Sequence, residues 1–482
     1  MRTIGLIFRH ELRLLAAERT LWVVSFLIAL VSLYALVNGL ADTRERESVI
    51  ANVAEQQAKR VPAVLEQLAR VTSGLESPDP FANPVDPASA GSGDVGRHAI
   101  LPYAALAPIA FGQSDLMPNY YRMSYRAKSN FMDDGELENP WNLLTGRFDF
   151  AFVVVVLLPL AILALTYNML SGEREQGTLK LVLAQGGRPG SLILGKLFAR
   201  TFPVLSVTLG VLFIFVLATR AVDANVAIQL IALACVIALY SAFWFAIATL
   251  MNVLNRSSAF NAIVLVGAWV GLVLVVPIVM NLAIQSAHPL PSRTQFATQN
   301  RLITIEGLNR YNDLLSADYR YVSEPEVLKP RADGTFDVQP RRRAHFLLAR
   351  DVDQLLDAER EKFDRQLKVQ QQSVDTFGFL SPAIVAYESL TTFAGTDSAR
   401  YLRFQSQVDA FHREWKAFFE PRVLGGRAMT AEDYAKLPAF AWNETKDAEH
   451  WQLLFMRTLS LLIPVCLLAF FAWRRLSGVR AA

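Results

Sequence analysis

The sequence predicts a mainly α fold: a polytopic membrane protein with six transmembrane helices and two extracytoplasmic, largely helical domains, one after span 1 and one after span 5. Three observations carry this. Hydrophobic residues make up 52% of the 482, too apolar a balance for an ordinary soluble chain. Six apolar runs each reach about the 20 residues a helix needs to cross the hydrocarbon core. Two long stretches between those runs are rich in charge, Pro and Gly, as extramembrane segments are.

The elements follow in order. Residues 1–19 put Ile4, Ile7, Phe8, Leu12 and Leu15 near one helical face, with Arg9, Arg13 and Glu18 elsewhere. That is an amphipathic helix lying on the cytoplasmic membrane surface. Residues 20–40 form span 1. Residues 41–147 form the first outer domain. Its part from Thr43 to Val71 is helical in pattern and divided by Pro62, and residues 77–96 are an irregular Pro, Gly and Ser loop. Trp141, Phe148 and Phe150 suit an interfacial aromatic belt, and residues 148–170 are span 2.

Residues 171–200 are a short cytoplasmic segment between spans, followed by spans 3, 4 and 5 at 201–220, 226–251 and 259–283. Pro159, Pro203 and Pro277 fall inside spans and are expected to kink them, with neighbours serving the freed carbonyls. Residues 284–450 are the second outer domain. Its amphipathic helix runs from Ala344 to about Gln372, with Leu348, Val352, Leu355, Leu356, Phe363 and Leu367 on one side. Residues 380–396 are apolar but interrupted by Pro382 and Gly395, which suits a segment resting on the bilayer edge or packing on the other domain. Span 6 is 453–473 and the tail is 474–482.

Basic residues near the span ends set the orientation. Arg2, Arg9, Arg13 and Arg19, then Arg174, Lys180, Arg188, Lys196 and Arg200, then Arg256, Arg474, Arg475 and Arg480 lie on one side. The short loop opposite holds Arg220 alone. By the positive-inside rule both termini and residues 171–200 are cytoplasmic, and both large domains face outward.

Composition excludes several functions. The 47 basic and 44 acidic residues leave a net charge of +3, without the basic excess that nucleic acid demands. Cys235 and Cys466 both sit in apolar runs, so no disulfide framework is expected. GSLILGK at 190–196 matches the skeleton of a phosphate-binding loop, but Leu197 replaces the Ser or Thr that holds magnesium, and no strand precedes it. It reads as a helix start with Lys196 at the lipid headgroups. The six histidines are scattered, and Met117, Met123 and Met132 read as packing residues rather than metal ligands. No metal site and no catalytic elbow is expected. Ionisable groups are nearly absent from the middle of the spans, which disfavours a proton- or sodium-coupled carrier.

The segment from Ser171 is suited to a contact that delivers energy from outside the membrane. Glu173, Arg174 and Glu175 cluster charge directly below span 2, Gly177 and Thr178 permit a bend, and Leu179, Leu181, Val182 and Leu183 supply an apolar face. A charged helix end merely solvated at the interface is the plainer reading. The stretch SGEREQGTLKLVLAQGGRPGSLILGKL resembles the Glu-Arg-Glu-x-Gly-Thr-Leu signature of ABC transporter permeases of the ABC-2 type. In that family the signature follows the second span and docks on the ATPase. The resemblance is strongest over residues 141–280, while DLMPNYYRMS, NPWNLLTGRFD, FLSPA and FAGTD resemble a bacterial subgroup with large periplasmic insertions.

The resemblance implies a permease subunit of the bacterial inner membrane, an exporter or a device doing periplasmic work. It binds no cofactor itself, ATP being held by two copies of a separate ATPase. A second permease copy or a sister permease completes it, with lipid around it and a periplasmic partner for the outer domains. Glu173, Arg174, Glu175, Gly177, Thr178 and Leu179 are the implied coupling residues. Ser206, Thr208, Tyr240, Ser241 and Thr249 are polar positions available to line a pathway at the seam between permeases, or to hydrogen-bond between helices. The alternative function is a membrane-anchored signalling or assembly scaffold with ligand-binding outer domains.

Overall fold

The computed structural model describes residues 2–17, 19–112, 117–130, 148–179, 189–290, 293–315, 325–444 and 448–476. In chain order its longer helices are α1 (Arg2–Ala17), α2 (Thr20–Thr72), α3 (Phe150–Glu175), α4 (Pro189–Thr219), α5 (Ala224–Val253), α6 (Ser258–Ala287), α7 (Arg293–Arg310), α8 (Pro340–Phe377), α9 (Pro382–Ala394), α10 (Ser398–Gly425) and α11 (Ala448–Leu476). Among the described residues six helices, α2 to α6 and α11, are long and apolar enough to cross a membrane.

At 53 residues α2 is roughly 80 Å long, far more than a bilayer core requires. Its first half belongs to the bundle, while its second half rises into a separate head and buries Val64, Leu68 and Val71 there. The expected division at Pro62 does not occur, since the helix runs through it. Packing of that apolar face outweighs the roughly 3 kcal/mol that an interior proline costs.

The head also corrects the expectation of two domains. Val64 of α2 and Val85, Ala99 and Tyr121 from the stretch after it share one core with Phe336, Phe346, Phe404, Trp415 and Tyr434 from the stretch after α6. Polar links cross the same boundary. Trp415 Nε1 donates to Gly91 O at 3.0 Å, Tyr434 OH donates to Pro84 O at 2.7 Å, and the hydroxyls of Tyr121 and Tyr401 are 2.7 Å apart. Each stretch offers an apolar face that only the other covers. Within the head, β1 (His98–Ile100) pairs antiparallel with β2 (Tyr120–Arg122), and Ala99 faces Tyr121.

In α8, Leu348, Val352 and Leu356 are buried as the spacing predicts, Phe363 and Leu367 are half-buried and Leu355 is exposed, while Ala344 and Phe346 are buried as well. Met123 is fully buried in the head core with Met117 against it, and Met132 lies outside the described residues. Phe150 is buried at the start of α3 rather than set in an interfacial belt, and Trp141 lies outside the described residues. Asp149 caps α3, accepting from Phe152 N at 2.7 Å and from Phe111 N at 3.0 Å.

The bundle core is built from Leu36, Ile162, Leu212, Ile237, Tyr240 and Trp244. α9, within the stretch expected at the bilayer edge or on the other domain, joins this core through Val385, Ala386 and Leu390, against α5 and α11 and also against the Ala107–Ile109 turn of the first outer stretch. A turn at Ala107–Ile109 descends to meet α2 at Gly39, where a Cβ would stand 2.0 Å from Pro108 O. Only glycine allows that approach.

Prolines shape two of the spans. π-helical turns occupy Val153–Leu157 and Val270–Val275, just ahead of Pro159 and Pro277. A proline removes one N–H and crowds the carbonyl four residues back, so the helix widens before it. Neighbours serve the carbonyls around these turns. Tyr240 OH donates to Val155 O at 2.8 Å, Trp269 Nε1 to Val156 O at 3.1 Å, and Ser381 Oγ to Leu272 O at 2.6 Å. Around Pro203, by contrast, α4 stays a regular helix.

Candidate functional site

At the end of the bundle away from the head, α3 breaks at residues 167–170 and makes one last turn, Ser171–Glu175. Two buried asparagines hold that break. Asn252 of α5 accepts from Leu170 N at 3.0 Å and donates at 2.9 Å to both Thr166 O and Ala248 O. Asn261 of α6 donates to Tyr167 O at 3.3 Å and to Ser171 Oγ at 3.4 Å. The interrupted backbone thus finds partners where water is excluded, which is the condition for tolerating it.

The three charged residues of the last turn each reach a different element. Glu173 Oε1 lies 2.5 Å from Lys196 Nζ of α4. Arg174 donates to Asn255 Oδ1 at 2.9 Å and to Arg256 O at 3.2 Å, in the connection between α5 and α6. Glu175 accepts from Ser258 N at 2.7 Å and from Ser258 Oγ at 3.0 Å. Its carboxylate therefore sits at the positive end of α6.

Behind Glu173 the charge network continues inward. Lys196 Nζ also reaches Glu11 Oε2 of α1 at 3.2 Å, and Glu11 Oε1 accepts from Arg200 at 2.7 Å. Arg200 donates further to Leu165 O and, at 3.4 Å, to Asn168 Oδ1. Two carboxylates face two cations, so the charges balance. Glu11, Lys196 and Arg200 are all buried. Burial pushes the Glu11 carboxyl up, but Lys196 and then Arg200 offset it and hold it below the usual carboxylate range. The expectation that Lys196 meets lipid headgroups is thereby corrected: a buried ammonium with two carboxylates beside it, Glu11 buried and Glu173 half-buried, has no reason to leave them. GSLILGK lies in the first turns of α4.

Gly177 ends the turn with φ +75, a conformation that favours glycine, and Thr178 Oγ1 donates to Glu173 O at 3.1 Å. Gln176, Gly177 and Thr178 are exposed. Leu179 packs against Met169, Leu170, Leu192, Ile193, Val253 and Leu476. Leu181, Val182 and Leu183 lie outside the described residues. The arrangement is a rigid turn whose exposed tip is wired to α1, α4, α5 and α6.

The expected pathway residues are not brought together as a lining. Thr208, Ser241 and Thr249 are buried and donate to carbonyls one turn back in their own helices, Val204, Ile237 and Phe245. Tyr240 serves Val155 O, and Ser206 alone of the five is exposed. Helix-to-helix and within-helix bonding satisfies four of them.

Sequence reasoning missed Glu11, Asn252, Asn255, Ser258 and Asn261. The two asparagines inside apolar runs were a usable signal, since a buried amide needs partners. Glu11 was not, because nothing in the chain order places it beside residue 200.

Among the described residues no group of three His, Cys, Asp or Glu is placed to hold a metal ion. A family model described as a domain of unknown function, DUF3526, matches residues 323–443. That is about a quarter of the chain, taking in α8, α9 and α10, and it does not reach the Ser171–Leu179 turn. No curated protein matches the sequence.

Proposed function

We propose that this chain is the transmembrane permease subunit of an ATP-driven transporter of the ABC-2 type, set in a bacterial inner membrane with both termini cytoplasmic. A separate ATPase, in two copies, docks on the exposed Gln176–Thr178 tip, and a second permease copy or a sister permease completes the complex. The observation that supports this best is the Glu173–Lys196–Glu11 network. A push on the tip moves Glu173, and through Lys196 it moves α1 and α4 together, while Arg174 and Glu175 carry the same displacement to the α5–α6 connection. The head then gates export or works on a periplasmic partner.

Co-purification from membranes with the candidate ATPase tests the proposal. Wild type should retain an ATPase whose hydrolysis depends on the complex, and Gly177→Trp, at an exposed position with open space around it, should release or uncouple it. If no ATPase associates, or if Gly177→Trp couples as wild type does, the permease reading fails and a scaffold with a ligand-binding head takes its place.

A further inference from the structure

A cleft of about 400 Å³ opens where the end of α8, the start of α9 and the first half of α11 meet. Its floor is charged and its rim apolar. On the floor, Arg457 lies 2.8 Å from Asp375 Oδ1 and 3.4 Å from Glu388 Oε2. The same guanidinium donates to Thr392 Oγ1 at 2.9 Å and to Glu388 O at 3.1 Å. Two carboxyl groups thus share one cation, and with both ionised the floor carries one negative charge in excess, a state that an added ammonium would favour. The three side chains are only 11 to 26% exposed, so that excess is poorly served by water. Burial pushes the Glu388 carboxyl above the ordinary range in spite of Arg457, with Asp375 and Asp397 adding to it.

The rim is made by Phe379, Met456 and Ile463, each about half exposed. Met456 and Ile463 belong to α11, a helix apolar enough to span a membrane, on which Phe455, Leu459 and Leu462 are exposed as well. The cleft therefore joins an apolar surface at its mouth to a carboxylate-rich floor. Its volume falls in the range of small-ligand sites, about 300–1,000 Å³.

We propose that this cleft binds an amphiphile carrying a protonated amine, with the ammonium on Asp375 and Glu388 and the chain along Phe379, Met456 and Ile463. An anionic headgroup would meet two carboxylates, and a small hydrated cation would leave the apolar rim unused. An ethanolamine lipid and a water-borne alkylamine share this chemistry. The site does not depend on the permease proposal, since it involves neither the Ser171–Leu179 turn nor an ATPase.

The full-length protein in detergent micelles is titrated with dodecylammonium, and with dodecanol and dodecyl sulfate as neutral and anionic chains of equal length, and binding is read by native mass spectrometry. Dodecylammonium should bind saturably at one per chain, and the other two should not compete. Affinity should fall roughly tenfold or more in Asp375→Asn, which removes the excess charge and leaves Glu388 on Arg457. It should fall as far in Ile463→Trp, which fills the cleft from its rim without touching the ion pair. Lipid extraction of protein purified from membranes separates the sources. One ethanolamine lipid retained per chain in wild type and lost in Ile463→Trp makes the ligand a lipid; its absence beside saturable dodecylammonium binding makes it a water-borne amine. Equal binding of the three chains, or undiminished dodecylammonium binding in both variants, overturns the proposal.

Discussion

The Glu173 carboxylate lies 2.5 Å from the Lys196 ammonium, tying the last turn of α3 to α4. Lys196 passes the tie to Glu11, and Glu11 passes it to Arg200. Three helices that the chain order separates are thus clamped by four side chains of balanced charge. Within it Glu11, Lys196 and Arg200 are buried, and a balanced, buried set of charges resists removal of any one member far more than removal of a pair.

Arg200→Met should therefore destabilise the protein by about 3–5 kcal/mol, since it strips Glu11 of its shortest ion pair inside the bundle. The double variant Glu11→Met with Arg200→Met should recover a large part of that loss. Denaturant unfolding of wild type, Glu11→Met, Arg200→Met and the double variant in one detergent gives the coupling directly, and additive losses would show that the two residues do not act as a pair.

Tyr240→Phe removes one oxygen atom and leaves Val155 O beside a π-helical turn without the hydroxyl that serves it. The cost should be about 1–3 kcal/mol. Thr249→Val, whose hydroxyl only returns to its own helix at Phe245 O, should cost clearly less. Thermal unfolding of the two variants side by side ranks them, and equal losses would contradict the role assigned to Tyr240.

Glu175→Ala should separate stability from coupling. Glu175 is exposed, so water and salt screen its bonds to Ser258 and losing them should change stability little. In the proposed complex the same change loosens the link from the α3 turn to α6, and ATP hydrolysis should no longer respond to the permease. A variant that unfolds readily, or one that couples normally, would each count against this division.

The head should lose stability in acid. His412 is buried in α10, and burial and then Lys416 push its imidazole from an ordinary value of 6.5 down to about 4. The folded value lies below the unfolded one, so the unfolded chain takes up the proton first. Stability is complete above about pH 6.5 and falls as pH drops toward 4, by about 3 kcal/mol in all. Melting temperature followed from pH 7.5 to 4.5 should slope downward in wild type and less steeply in His412→Gln, where His98 and His345, also pushed down by burial, keep part of the slope. Parallel slopes in the two proteins would remove His412 from the account.

Gly39→Ala should be poorly tolerated although it adds a single methyl group. The added Cβ meets the backbone carbonyl of Pro108 at 2.0 Å, and neither α2 nor the Ala107–Ile109 turn can yield without disturbing the junction of bundle and head. A loss of about 1–3 kcal/mol, the usual cost of overpacking, is the expected result, measured by unfolding against the open-space control Gly210→Ala.

Much of this fold was legible because hydrophobic length is a one-dimensional property. Runs such as residues 226–251 carry enough consecutive apolar residues to declare a span-length helix wherever their neighbours lie. The Glu173–Leu179 turn was legible for a similar reason, since charge, glycine and threonine in a row mark the end of a helix. Pro62 misled because local propensity marked it as a break, while the contacts that overrode it came from the head core; Pro382 and Gly395 do bound a short helix, but its seat on α5 and α11 is not written in the chain order.

By itself, then, the sequence determined six span-length helices, the amphipathic first helix and the charged turn after α3. Each follows from side chains close together in the chain. Only the tertiary structure decided that the two long insertions share one core, that Lys196 turns inward to Glu11 and Glu173, and that Tyr240 serves Val155 O. Those outcomes depend on partners roughly 20 to 350 residues away in the chain. A buried charge or carbonyl takes whatever partner packing brings within reach, and the order of residues along the chain does not name that partner.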